Sequence, residues 1–130
     1  MPFDWREFLI VAHGLRHDTG EGAQRTCLGR AYYYVYNLGL SNARALNFTQ
    51  EPPGLHKKLW GWCQMQRDPR IIKLGNLGLR MHSIRLDADY RDTPIANLAS
   101  EVKTQLSRAQ TFEGLVAQSN GSAPPAALAQ

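Results

Sequence analysis

The stretch Asp68-Pro69-Arg70-Ile71-Ile72-Lys73-Leu74-Gly75-Asn76-Leu77-Gly78-Leu79-Arg80-Met81-His82-Ser83-Ile84-Arg85 decides the fold class. Aspartate followed by proline opens a helix: the carboxylate caps free amides, and proline sits where no amide proton is needed. Ile71, Leu74, Leu77, Met81 and Ile84 then recur every three or four residues, the spacing of one helical face. The same period extends outward in both directions. Trp5, Phe8, Leu9, Ala12 and Leu15 predict a first helix from Asp4 to about His17, with Asp4 and Glu7 spaced as a capping box. Ala23, Cys27, Ala31, Tyr34 or Val35, and Leu38 carry a second, from about Glu21 to Leu46. At 1.5 Å per residue it would span roughly 35–40 Å, the full length of a small bundle. Leu55, Leu59, Trp62 and Cys63 mark a third, from about Leu55 to Gln66. The period fails around Asp87, which predicts a loop there. Asp92-Thr93-Pro94 restarts it, and Ile95, Leu98, Ala99, Val102, Leu106, Ala109 and Leu115 or Val116 form a fifth helix. No stretch alternates like a strand. The expected fold is all-α, an antiparallel up-and-down bundle of four to five helices over residues 1–117. Short connections make neighbouring helices antiparallel. The Gly, Ser and Pro content of residues 118–130 predicts a flexible tail.

A chain of 130 residues fits one domain with a core of its own. Its two cysteines, Cys27 and Cys63, form no Cys-x-x-Cys pair and lie in apolar helical contexts. They read as reduced core residues, which suits a cytoplasmic protein. No apolar run approaches the roughly 20 residues of a membrane span. Met1-Pro2-Phe3-Asp4-Trp5 lacks the basic start and cleavage site of a secretory leader. The formal charge of +4 is unevenly placed. From His56 to Arg85 stand Lys57, Lys58, Arg67, Arg70, Lys73, Arg80 and Arg85 against Asp68 alone, a net +6. Such a local excess favours polyanions; the alternative is a solvated face whose acidic partners lie elsewhere.

Two motifs carry possible chemistry. Gly29-Arg30-Ala31-Tyr32-Tyr33-Tyr34-Val35-Tyr36-Asn37 lies inside the second helix. Successive residues point about 100° apart, so its tyrosines cannot share one face, and a buried one needs a partner for its hydroxyl. Tyr33 and Tyr36 are the expected contacts to another chain. Leu79-Arg80-Met81-His82-Ser83-Ile84-Arg85-Leu86-Asp87-Ala88-Asp89-Tyr90 covers the end of the fourth helix and the loop expected after it. Arg85 and Tyr90, five apart across that helix end, can reach one cleft.

With both motifs in this order, the chain resembles the HEPN family, in the branch with Arg-Ala-Tyr-Tyr and Ala-Asp-Tyr signatures. Asp4-Trp5-Arg6-Glu7-Phe8-Leu9 and His56 fit the same pattern, so the resemblance covers most of Asp4 to Asp92. It implies a helical bundle that dimerises and a role in RNA biology, often as a metal-independent endoribonuclease in toxin–antitoxin or phage-defence systems. In catalytic members an arginine stabilises charge on the scissile phosphate. A histidine a few residues on serves as general base or acid for attack by the 2′-hydroxyl. Here Arg85 matches the arginine, but Tyr90 stands where the histidine belongs, and a phenol is a weak base near neutrality. The histidine expected after the tyrosines is replaced by Asn37. The resemblance thus makes Arg85, Tyr90, Asp89 and His82 the candidate catalytic set. Arg80, Lys73, Arg30, Lys57 and Lys58 are the candidate RNA contacts. A lone imidazole on a basic helix is also the ordinary surface histidine, and His82 admits that reading.

Other groupings carry less. His13 and His17 are four apart on one face, but no third or fourth ligand sits at metal spacing, so no metal or cofactor is expected. Arg6 and His13 match the arginine–histidine spacing literally but lie in the first helix. Trp60-Gly61-Trp62 beside Lys57 and Lys58 could stack bases, yet on a helix the two indoles diverge, one toward the core. Three function classes remain. One is an RNA-acting protein, as nuclease toxin or derivative. Another is a non-catalytic module holding RNA, a nucleotide or a nucleotidyltransferase-type antitoxin. The last is a structural subunit of a larger complex.

Overall fold

The computed structural model describes residues 2–119. Five helices account for its regular structure: α1 (Arg6–Leu15), α2 (Glu21–Ala45), α3 (Leu55–Gln64), α4 (Pro69–Tyr90) and α5 (Leu98–Ser119). No strand occurs among the described residues, and none of their helices is long and apolar enough to cross a membrane.

Helix α2 is the axis and packs against all four others. Its pairing with α1 is antiparallel: the Cys27 thiol donates to the Ala12 carbonyl, while Arg30 lies over Phe8 farther along. α3 and α4 are antiparallel as well, Gly75 meeting Cys63 and His82 meeting His56. So are α4 and α5, with Gln105 bonded to the Met81 carbonyl and Arg70 to that of Gln118. α3 departs from the expected alternation. Tyr32 touches its start at His56, and Gly39 touches Trp60 farther on, so α3 runs parallel to α2. The segment after α2 makes this possible. Asn47 takes a left-handed conformation (φ 74°), the Phe48 amide bonds back to the Ala43 carbonyl at 2.9 Å, and Phe48 is buried against Trp62. The chain then travels back along the bundle through Pro52-Pro53.

Trp60 fills the centre with no exposure. It fits because its neighbours are glycines: a Cβ at Gly78 would stand 2.4 Å from the indole, and one at Gly39 would stand 2.9 Å away. Phe112 packs edge-on against the indole, and the same core holds Leu28, Val35, Leu59, Leu74 and Met81, each essentially buried. Tyr34, also buried, donates its hydroxyl to Glu113 Oε2 at 2.5 Å, and Arg6 pairs with the same oxygen at 3.3 Å.

Several boundaries differ from expectation. Asp68 caps α4 as predicted, accepting from the Arg70 amide at 2.9 Å. α4, however, does not fail at Asp87; it continues to Tyr90. The reason is remote: Arg25, on α2, donates to the carbonyls of Ala88, Arg91 and Thr93 and secures the last turn. Thr93 is engaged there, and α5 starts at Leu98 rather than at Pro94. α1 is shorter than Asp4–His17, although Asp4 does accept from the Arg6 amide at 3.0 Å. α5 runs through Gln118 and Ser119, two residues into the expected tail; the remainder of that tail, 120–130, lies outside the described residues. Cys27 and Cys63 are free and buried as expected, and burial raises their thiols to about 11 and about 12.

Candidate functional site

The two tyrosine- and arginine-bearing motifs face each other because α2 and α4 are antiparallel. Arg85 donates a short hydrogen bond from Nη2 to the Tyr33 hydroxyl, and its guanidinium lies 4.8 Å from the centre of the Tyr33 ring. Asp89, one turn on, pairs with Arg85 Nε at 2.8 Å. The Tyr90 ring lies 5.8 Å from the same guanidinium, and 70% of Tyr90 is exposed. Arg30, one α2 residue past Gly29, stacks 4.5 Å over the Phe8 ring. Thr26, Gly29, Arg30, Tyr33, Arg85 and Asp89 together line an open cleft of about 290 Å³. It thus holds two guanidinium forks and one carboxylate. Planar N–H forks of this kind match the oxygens of a phosphate.

Beside the cleft lies a stack of nearly parallel rings. The His56 ring centre is 3.8 Å from that of Tyr36 and 5.0 Å from that of His82, and His82 is 5.1 Å from Tyr32. His82 is therefore not the surface histidine one reading of the sequence allowed; only 8% of it is exposed. The buried Tyr32 hydroxyl connects two neighbours. Trp60 Nε1 donates to it at 3.1 Å, and it lies 2.6 Å from His56 Nδ1. An indole can only donate, so the arrangement in which the buried phenol also uses its own proton has Tyr32 donating to His56 Nδ1. That assigns the remaining proton of neutral His56 to Nε2. Burial first, then the charge interactions with His82 and Arg85, lowers His56 to about 4. His82 is lowered too, by burial and then by Arg85 and Lys57. Burial pushes the Tyr32 phenol well above its ordinary range. Near neutrality this cluster is uncharged, and His56 offers a donor rather than a free lone pair.

The structure thus gathers Arg85, Asp89, Tyr90, Arg30 and Tyr33, with His82 behind them. Asp89 and Tyr90 belong to the last turn of α4, not to a loop. Tyr33 and Tyr36, expected at a contact between chains, already have partners within this one, Arg85 and His56. Asn37 turns its amide back to the Tyr33 carbonyl at 2.8 Å. The lysines and Arg80 are not gathered. Arg80 and Lys73 are exposed on α4, and Arg80 points about 140° around the helix from Arg85. Lys57 is exposed, while Lys58 donates to the Glu51 carbonyl at 2.9 Å. Trp60 is core, and half-buried Trp62 packs on Phe48. His13 and His17 both bond Arg16, and among the described residues no three His, Cys, Asp or Glu side chains gather for a metal. Sequence reasoning did not place Phe8 or Tyr32 in the site. Their signal is contact between helices, which local spacing does not carry.

No protein-family model, curated protein or solved structure matches this chain.

Proposed function

We propose that this chain is a HEPN-like protein that binds RNA through the cleft between α2 and α4, with Arg30 and Arg85 holding backbone phosphate. The convergence of those two guanidiniums, from different helices, on one open cleft carries the reading. Arg85 is held there by Tyr33 and Asp89, so little side-chain freedom is lost on binding. The surplus of positive charge along α3 and α4 adds long-range attraction for a polyanion. On this reading the protein works in the cytoplasm as a homodimer, with a nucleotidyltransferase-type antitoxin as a natural partner.

Binding is favoured over cutting. A general base is most effective with a pKa near the working pH, and His56 lies at about 4 with its Nδ1 occupied by Tyr32. The cleavage reading is supported by one observation, the two imidazoles 5.0 Å apart beside Arg85. Titrating a labelled RNA against the protein at several salt concentrations separates the possibilities. We expect affinity to fall steeply with salt and Arg85→Ala to weaken binding by about tenfold or more, the scale of a lost charged hydrogen bond. Unchanged binding in Arg85→Ala rejects the cleft. Cleavage that disappears in His56→Gln and His82→Gln makes the protein a nuclease instead.

A further inference from the structure

The cleft does not end at Arg30. The Phe8 ring beneath that guanidinium lies 6.5 Å from Tyr33 on one side and 5.3 Å from Trp5 on the other. Trp5 in turn lies 4.9 Å from Phe3, in an edge-to-face arrangement. Guanidiniums and rings therefore follow one another without a break from Arg85 through Tyr33, Phe8 and Arg30 to Trp5 and Phe3. The end of this strip is open: Trp5 is 41% exposed and Phe3 is 49% exposed. The helical period places Trp5 on the inner stripe of the first helix, so its exposure is unexpected for a core role. A second hollow of about 300 Å³ lies at this end, with Phe3, Trp5, Asn37 and Ser41 among its walls. Hence one end of the strip carries the Arg30 and Arg85 guanidiniums beside Asp89, and the other is aromatic with Asp4, Arg6, Asn37 and Ser41 close by.

We propose that Trp5 and Phe3 form a stacking subsite for an unpaired nucleobase of the strand whose phosphates sit at Arg30 and Arg85. The inference rests on the RNA reading of the cleft and adds the form of RNA that fits it. A paired base has both faces covered by its stacked neighbours, whereas a single-stranded base offers a π-face to an aromatic side chain. Cationic contacts hold the backbone, and stacking holds the base whatever its identity. Two contacts, 4.5 Å and 5.3 Å, separate the Arg30 guanidinium from the Trp5 ring, a distance that adjacent nucleotides bridge. Positive charge at one end and exposed rings at the other select a nucleic acid strand over an apolar protein surface.

The test compares a short unstructured oligoribonucleotide with its duplex by fluorescence anisotropy, using wild type, Trp5→Ala, Trp5→Phe and Arg85→Ala. We expect the single strand to bind more tightly. Trp5→Ala should weaken it roughly 5- to 150-fold, the range for one lost base stack, and Trp5→Phe should restore most of the loss. Should Trp5→Ala not fold, an oligoribonucleotide lacking its bases, titrated against wild type, must show a loss in the same range. Equal affinity for strand and duplex, with Trp5→Ala silent while Arg85→Ala weakens both, overturns the subsite and leaves the cleft standing. Silence of Arg85→Ala overturns the cleft, and the subsite falls with it. If Trp5→Ala converts a dimer to a monomer at unchanged RNA affinity, the two rings bind a second copy of this chain and the subsite is wrong.

Discussion

The Tyr32 hydroxyl makes two hydrogen bonds in a place no water reaches, and the state of His56 depends on one of them. Replacing Tyr32 with Phe keeps the ring stack and removes both. The indole N–H of Trp60 is then buried without an acceptor, which costs about 1–3 kcal/mol. His56 loses a donor that favours its neutral form, so its pKa should rise from about 4 part of the way toward 6.5, burial still holding it down. Urea unfolding and an NMR titration of the imidazole measure the two effects; an unmoved His56 would mean that Nδ1 carries the proton. Nothing of this relay shows in local sequence. His56, Tyr32 and Trp60 belong to two helices whose relative direction is reversed from the expected one, so their meeting depends on the path of the loop between them. That the tyrosines divide between faces was legible from steps of about 100°, and Tyr34 lies inside as its stripe predicts; that Tyr32 is buried on another side of α2 was not, because it depends on α3 and α4 packing there.

Glycine in a helix has opposite consequences at two positions of this bundle. Gly61, inside α3, has open space where a Cβ would go, whereas Gly78, inside α4, has the Trp60 ring. Gly61→Ala should therefore stabilise the protein by about 0.5–1 kcal/mol, through helix propensity alone. Gly78→Ala should destabilise it by about 1–3 kcal/mol, because the indole must move in a full core. Urea midpoints of the two variants with unchanged slopes are the check, and a stabilising Gly78→Ala would contradict the packing. Sequence pattern ranks the two glycines alike. Which one is spent on close approach is decided by the neighbouring helix. The end of α4 is a similar case. Asp87 and Asp89 read locally as a breakdown of the apolar period, but the turn is held by Arg25, which is remote in the chain. That single long-range contact keeps Asp89 and Tyr90 in register with Arg85.

For the whole molecule, three depressed histidines, His13, His56 and His82, couple stability to pH. The unfolded chain takes up protons at histidine around pH 6.5, whereas folded His56 resists protonation until about pH 4, and His13 and His82 are shifted in the same direction. Above about pH 6.5 both states are neutral there, and stability is at its full value. As pH falls toward 4 the unfolded state binds more protons and stability declines. Asp68, lowered by its bonds to Arg70, acts only below its usual value and stays out of that window. Chemical unfolding at stepped pH should show the decline, and His56→Gln should flatten it; a wild-type profile with no slope between pH 6.5 and 4 contradicts the assignment. The all-α class and the Asp68-Pro69 start could be read from residue order, since each follows from a local signal, whereas the meeting of Arg30 and Arg85 in one cleft could not, because they stand on different helices. The strip from Tyr33 to Phe3 could not, because Trp5 and Phe8 carry the same apolar spacing whether they face inward or outward. The indole slot between α2, α3 and α4 has one further consequence, for how such a chain can diverge over time. Gly39, Trp60 and Gly78 are coupled to one another by volume, so a lineage that enlarges either glycine without loss of stability is one that has also shrunk the tryptophan.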